Sequence, residues 1–141
     1  MKKFLQKKLK DQKGMTLIEL LAVIVIIAII AAIAIPAIGN LIENSRHNAA
    51  RADVQMVLSA ANLYFTETGA AENDTVTLAN LGEYIDDPGD VDSATITKLS
   101  SGNTISASVI GDEGTYTFPA LTNAALSELT TEQIKGYLPA Q

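Results

Sequence analysis

A glutamate lies inside an otherwise apolar segment near the start of the chain. Residues 20–35 are uninterrupted apolar residues, and the segment extends back to Met15 with Thr16 and Glu19 as its polar members. Glu19 is the only ionisable side chain from residue 16 to residue 42. Placing a charged side chain in such surroundings costs about 3 kcal/mol on insertion scales, so a carboxylate at this position indicates a functional role.

The residues around Glu19 form a motif. Residues 13–20 read Lys-Gly-Met-Thr-Leu-Ile-Glu-Leu, and the apolar run that follows them ends at Pro36. This pattern closely resembles the processing and methylation signature of type IV prepilins and pseudopilins, over roughly residues 8–66. The resemblance implies cleavage between Gly14 and Met15 and N-methylation of Met15. Glu19 is then the fifth mature residue and pairs with the Met15 ammonium of a neighbouring subunit. Met15 departs from the common Phe.

Three other interpretations of this segment remain open. The helix dipole alone favours a first-turn glutamate by about 0.3–1 kcal/mol, which explains Glu19 but not the Gly14–Met15 junction. An ordinary secretory signal peptide would be cut after Ala34, so that the mature chain begins at Ile35, but a charge inside its apolar region is atypical. The third interpretation is a plain membrane anchor.

The charge is divided unevenly along the chain. Residues 1–14 carry six lysines against one aspartate, a net of +5, whereas residues 15–141 carry a net of −11, which gives −6 for the whole chain. A basic end before an apolar segment is typical of a protein that leaves this end in the cytoplasm. The acidic remainder argues against direct nucleic-acid binding, which requires Lys and Arg to displace counterions. Because the chain has no cysteine, disulfides are excluded.

The sequence predicts an α+β fold, with a long N-terminal helix packed on a small antiparallel sheet head. Residues 1–14 are a leader that is removed, and residues 15–36 form a transmembrane half-helix. Its first twenty-one residues span about 31 Å, close to the ~30 Å hydrocarbon core. Residues 37–68 form an amphipathic half-helix of the head, and residues 69–141 complete the globular head. The side chains predicted to face the sheet recur at three- and four-residue steps: Ile38, Leu41, Ile42, Ser45, Ala49, Ala52, Met56, Ala60 and Leu63.

The head has weaker signals. The helix is expected to end near Gly69 and to be followed by a short helix over residues 78–85 and a turn over residues 86–90. Three strands are predicted at residues 94–99, 104–110 and 115–118. Thr130 and Gln133 fit a capping box, which predicts a last helix from residue 131 to residue 138.

Weaker signals indicate minor roles for a few residues. Pro36 and Gly39 weaken a helix; they fit either a kink at the membrane surface or, by the resemblance, a segment that unwinds during assembly. Oxygen ligands suit Ca²⁺, but without EF-hand spacing a solvated turn is favoured over a metal site for four aspartates: Asp86, Asp87, Asp90 and Asp92. His47 is expected at the surface or an interface, without chemistry. No metal or other cofactor is predicted.

The sequence therefore predicts a non-enzymatic structural subunit of a type IV pilus-like filament. The protein would be a single-pass cell-membrane protein before assembly and part of an extracellular filament afterwards. By the resemblance, its partners are the prepilin peptidase, an assembly platform protein, an assembly ATPase and other copies of itself. The alternatives are a major pseudopilin of a competence (DNA uptake) or type II secretion system and, from a different class, a membrane-anchored adhesin that does not polymerise.

Overall fold

One helix accounts for nearly half of the chain. The computed structural model describes residues 16–139 in full and, for residues 2–15, the course of the backbone. Helix α1 runs from Lys2–Thr68 and is followed by Gly69, whose φ of 64° is the left-handed conformation that commonly ends a helix. The predicted end of the helix is therefore confirmed. The chain divides into two units, Met1–Ile42 and Glu43–Gln141, and the boundary falls inside α1.

The second unit contains a four-stranded antiparallel sheet in which neighbours in sequence are neighbours in space. Its strands are β1 (Thr75–Thr77), β2 (Val91–Thr97), β3 (Thr104–Gly111) and β4 (Gly114–Thr122). The long helix and the antiparallel sheet confirm the predicted α+β class. The three predicted strands are present, although β2 begins three residues earlier than expected and β4 ends four residues later.

The core of the head lies between one face of the sheet and the second half of α1. Side chains alternate between buried and exposed along the strands, as a sheet with one solvated face requires. In β3, for example, Ile105, Ala107 and Val109 are buried. A bulge shifts the register between Ile105 and Ala107, where β4 contains Pro119, a residue that cannot donate to the ladder.

The face of α1 that meets the sheet was predicted wrongly. The buried side chains of this part of α1 are His47, Ala50, Val54, Val57, Leu58, Ala60, Ala61 and Phe65. Of the face predicted from the sequence, Ala60 is buried, whereas the others, including Met56 and Leu63, are exposed. This half of α1 carries two apolar stripes, and a period of 3.6 residues identifies stripes without specifying which one packs on the sheet.

The short elements predicted for the head are only partly present in the structure. The capping box is confirmed: the Thr130 side chain accepts from Gln133 N, and helix α3 (Thr131–Lys135) follows, shorter than predicted. The helix predicted over residues 78–85 is a single 3-10 turn, Leu78–Asn80, and Thr77 donates to Asn80 Oδ1 instead of capping the backbone. Two elements were missed, namely β1 and helix α2 (Asn123–Glu128). Both are too short to show a period.

Candidate functional site

The apolar segment of α1 exposes its side chains within its own unit. The large apolar side chains from Leu17 to Ile42 are 47–70% exposed. The described part of α1 is long and apolar enough to cross a membrane, and none of its most apolar stretch is buried among the described residues. A contiguous apolar surface of this size marks a site of contact with lipid or with other protein.

Glu19 interrupts this surface. Its side chain is exposed on α1, and among the residues described in full it has no hydrogen-bond or ion-pair partner. In a membrane or in a dry protein interface, an unpaired carboxylate is costly, so a partner from outside the chain would stabilise it. Gly14 and Met15, the predicted cleavage and methylation site, lie outside the residues whose side chains are described; their backbone belongs to α1.

Pro36 and Gly39 lie inside α1 and do not end it. Pro36 has no backbone N–H, so it cannot complete the hydrogen bond to the carbonyl four residues before it. A Cβ added at Gly39 would meet no atom within 4 Å, so packing does not require a glycine there. The assignment of the two residues as a weak point of the helix remains a prediction.

The four aspartates around residue 88 are not brought together as a metal site. Among the residues described in full, they form no group of three carboxylates with ligand atoms close together. Asp87 accepts from Gly89 N at 2.9 Å, and Asp53 of α1 accepts from Asp90 N at 3.2 Å. A Cβ at Gly89 would come within 2.5 Å of Asp53 Cγ. The turn thus closes against the helix.

His47 corrects the expectation of a surface residue. It is 1% exposed, and its Nδ1 lies 2.8 Å from the Tyr116 hydroxyl. Its Nε2 lies 3.6 Å from Glu43 Oε1, one turn earlier on the same helix. Glu43 in turn pairs with Lys135 of α3 at 2.5 Å. The expectation for His47 was wrong because a histidine next to Arg46 in a helix is typical of a polar surface. Its partner, Tyr116, is 69 residues away in the sequence, so their contact could not be predicted from local spacing.

The surroundings of these groups set their protonation. The hydrogen bond and charge of Lys135 hold the pKa of Glu43 below its ordinary value of 4.5, and the same contact raises the pKa of Lys135. Burial raises the pKa of the Tyr116 hydroxyl. Glu43 is therefore ionised and Tyr116 neutral at pH 7. Sequence reasoning missed this cluster, although the spacing of four residues between Glu43 and His47 puts them on one helix face.

The first part of the chain matches a known family model. Residues 9–35 match the family model described as the prokaryotic N-terminal methylation motif, the signature of type IV prepilins and pseudopilins. A search of curated proteins and a search of solved structures found no match to this chain. The motif supports a type IV pilin-like or pseudopilin precursor and implies processing by a prepilin peptidase. It favours a structural protein over a catalytic one.

Proposed function

We propose that this chain is a structural subunit of a type IV pilus-like filament, and that it polymerises through α1 after cleavage between Gly14 and Met15. The observation that carries the proposal is the apolar surface from Leu17 to Ile42, which is 47–70% exposed at its large side chains and contains a single carboxylate, Glu19. A surface of this kind first needs lipid and then, outside the membrane, a protein partner of equal apolarity.

The membrane is the first environment of this surface. The basic leader, residues 1–14, stays on the cytoplasmic side, and residues 15–36 span the bilayer. Twenty-one helical residues from Met15 cover about 31 Å, which matches the ~30 Å hydrocarbon core. The acidic head, which begins in the second half of α1, lies on the opposite side. Removal of the leader leaves the mature protein anchored by residues 15–36, with a methylated Met15 as its new first residue.

Other copies of the chain provide the second environment. In the filament the Leu, Ile, Val and Ala side chains of residues 17–42 pack against the same segments of neighbouring subunits. The Met15 ammonium keeps its charge when it is methylated, and it pairs with Glu19 of a neighbour. Because water is excluded from this core, an unpaired charge is costly there, so the pair sets the register of neighbouring helices.

The exposed apolar stripe on the head half of α1 supports the same proposal. Its described members include Ala49, Ala52, Met56 and Leu63, at steps of three, four and seven residues, so they lie on one face of the helix. The sheet of the same chain packs on a different face, which leaves this stripe exposed in the protomer. In a filament, neighbouring subunits cover it. Pro36 and Gly39 lie near the end of the first apolar surface, where a loss of helical bonding would let the polymer stretch.

Assembly requires partners in addition to other copies of the chain. By the resemblance these are the prepilin peptidase, a platform protein in the membrane and an ATPase that acts from the cytoplasm. Within the family we favour a main pilus subunit over a pseudopilin of competence or type II secretion. An anchored adhesin of the same topology would need no polymer contact along residues 17–42.

Two measurements on cells that express the chain test the proposal. Mass analysis of the mature protein should find a methylated Met15 as first residue, and replacing Gly14 by leucine should leave the uncut precursor in the membrane. Electron microscopy should find long surface filaments that contain the protein. A mature chain that begins at Ile35 would establish a secretory signal peptide, and correct processing without filaments would leave the pseudopilin or the anchor.

A further inference from the structure

The single histidine of the chain has one ring nitrogen without a hydrogen bond to the part of the chain that the structure describes. His47 is 1% exposed, and its Nδ1 is engaged by the Tyr116 hydroxyl at 2.8 Å. Its Nε2 is also buried but makes no hydrogen bond to any residue described in full, and the nearest acidic atom among these residues, Glu43 Oε1, is 3.6 Å away. Buried polar atoms in native proteins are nearly always satisfied, so this nitrogen calls for an explanation.

A second carboxylate comes from a different element. The two-residue loop between β3 and β4 consists of Asp112 and Glu113, and it brings Glu113 towards the helix. The three ligand atoms offered by Glu43, His47 and Glu113 lie within 4.8 Å of one another. One imidazole nitrogen and two carboxylates, supplied by a helix and a hairpin, thus converge on the buried Nε2.

An ion pair alone does not explain why Nε2 lacks a hydrogen bond. A protonated His47 would be attracted by both carboxylates, but 3.6 Å is beyond the range of a hydrogen bond from Nε2 to Glu43. A buried charged donor at this distance is attracted by the carboxylate but gains no hydrogen bond from it. A cation between the atoms has different requirements, since the ligands must stand apart from one another. Around a tetrahedral ion with ligands at about 2.1 Å, neighbouring ligand atoms are roughly 3.4 Å apart.

We propose that Glu43, His47 and Glu113 bind a divalent transition-metal ion of the Zn²⁺ type, with water in the remaining position. His47 Nε2 would provide the nitrogen ligand, while Nδ1–H donates to the Tyr116 oxygen and fixes the tautomer and the ring orientation. The separation between Glu43 and His47 already fits such an ion. Glu113 is exposed in its loop and can close the remaining gap.

The donor set selects the class of cation. Ca²⁺ and Mg²⁺ are bound by oxygen ligands, whereas an imidazole together with carboxylates suits Zn²⁺ and its neighbours among the first-row metals. The bound ion would join the first turns of the head part of α1 to the β3–β4 hairpin. This role is independent of filament assembly, so the proposal does not rest on the proposed function.

Lys135 is the natural competitor of the ion. Its ammonium lies 2.5 Å from Glu43 Oε1 and holds this carboxylate in the absence of a metal. A carboxylate has four lone-pair positions on two oxygens, so Glu43 can ligate an ion while it keeps Lys135. The nearby positive charge nevertheless repels a dication. Replacing Lys135 by methionine should therefore tighten metal binding, whereas it would weaken a cluster that is only a network of ion pairs.

The test uses the full chain in detergent micelles, prepared without a histidine tag and titrated with ZnCl₂ by calorimetry. We expect one Zn²⁺ per chain. Glu113→Gln should weaken binding at least tenfold, and this exposed residue is not required for folding. Glu128→Gln, an exposed carboxylate outside the cluster, should leave the affinity unchanged. Lys135→Met should strengthen binding several-fold, and CaCl₂ should not compete at equal concentration.

The imidazole itself gives a second readout. Because the chain has one histidine, ¹⁵N-histidine NMR reports His47 without ambiguity. Zinc should shift the Nε2 resonance strongly and leave Nδ1 as the protonated nitrogen. His47→Gln should abolish binding; should that variant fail to fold, the wild-type spectrum and Glu113→Gln still decide. Imidazole resonances that zinc leaves unmoved, or equal affinity of wild type and Glu113→Gln, would overturn the proposal.

Discussion

The two halves of α1 differ in how much of their apolar surface the chain itself buries. From Leu17 to Ile42 the large apolar side chains are about half exposed or more, all around the helix. From Glu43 onwards the helix has one stripe in the core, with Val54 and Val57 fully buried, and another stripe that remains in contact with solvent. The described residues of the first unit bury none of the large apolar side chains from Leu17 to Ile42, whereas the second half of the helix already has its own sheet.

This difference separates folding from assembly. Burial of apolar surface contributes about 25 cal/mol per Å² wherever the partner comes from. In the head half the partner belongs to the same chain, so the gain stabilises the fold. In the apolar half the partner, under our proposal, is lipid and then another copy, so the gain drives insertion and polymerisation. Substitutions in the two halves should therefore fail in different assays.

Shortening the chain through α1 from its N-terminus should have the largest effect. A chain that begins at Asn40 should be soluble and monomeric, because it loses the exposed apolar surface and keeps Val54, Val57 and Leu58 of the core. A chain that begins after Thr66 should not fold, because the sheet loses the helix on which it packs. Sedimentation and thermal unfolding followed by circular dichroism check both. Cooperative melting of the shorter chain at the same temperature would show that the helix is not needed.

Loss of the carboxylate at Glu19 should abolish filaments while leaving the fold intact. If Glu19 pairs with the Met15 ammonium of a neighbour, Glu19→Ala leaves that charge unpaired in an apolar core at roughly 3–5 kcal/mol per contact. A polymer repeats this penalty at every subunit. Electron microscopy should therefore find no filaments, although the processed subunit accumulates in the membrane.

Two companion variants and one co-expression experiment sharpen this result. Glu19→Gln keeps the shape and removes the charge, so it should fail as well. Glu128→Gln removes an exposed charge of the head and should assemble normally. Expression together with wild type should restore some filaments, since a mutant subunit still offers its Met15 ammonium to a wild-type neighbour. Normal filaments made of Glu19→Ala subunits alone would reduce Glu19 to a helix-start residue worth under about 1 kcal/mol.

Two leucines on the head part of α1 allow a matched comparison of the two stripes. Leu58 is 1% exposed and Leu63 is 51% exposed. Leu58→Ala should lower the free energy of unfolding of the head by about 2–5 kcal/mol, because it leaves a cavity. Leu63→Ala should change it by less than about 1 kcal/mol. Denaturant unfolding of the full chain in detergent, followed by the near-ultraviolet signal of the tyrosines, measures both.

Of these two leucines, Leu63 also tests whether the exposed stripe takes part in assembly. Under the filament proposal, Leu63→Glu leaves the head folded and reduces the number of filaments, because the exposed stripe meets a neighbouring subunit. Filaments of normal abundance and stiffness with Leu63→Glu would mean that this stripe stays in water. The buried stripe offers no such test, since a charge at Leu58 would unfold the head first.

The extent to which the sequence predicted the structure follows from the range of each interaction. The apolar segment and the motif around Glu19 are local, so composition and spacing were enough to identify them. The end of α1 at Gly69 and the capping box of Thr130 and Gln133 are equally local, and both are confirmed. The choice between two apolar stripes on one helix, and the burial of His47, depend on contacts with residues far along the chain.

The smallest effect should come from an exposed loop of the head. Glu72 accepts hydrogen bonds from the Ser100 backbone N–H at 3.0 Å and from its hydroxyl at 2.9 Å. These bonds favour the ionised form and hold the pKa of Glu72 below its ordinary value of 4.5. Their contribution to stability is therefore present above about pH 4.5 and is lost as the pH falls through the lowered pKa.

Glu72→Gln should be slightly less stable than wild type at pH 7, and the difference should shrink towards pH 3. Denaturant unfolding at a series of pH values measures it, with Glu128→Gln as the control for removing one exposed charge. A difference that stayed constant from pH 7 to pH 3 would mean that the carboxylate of Glu72 is not what Ser100 stabilises.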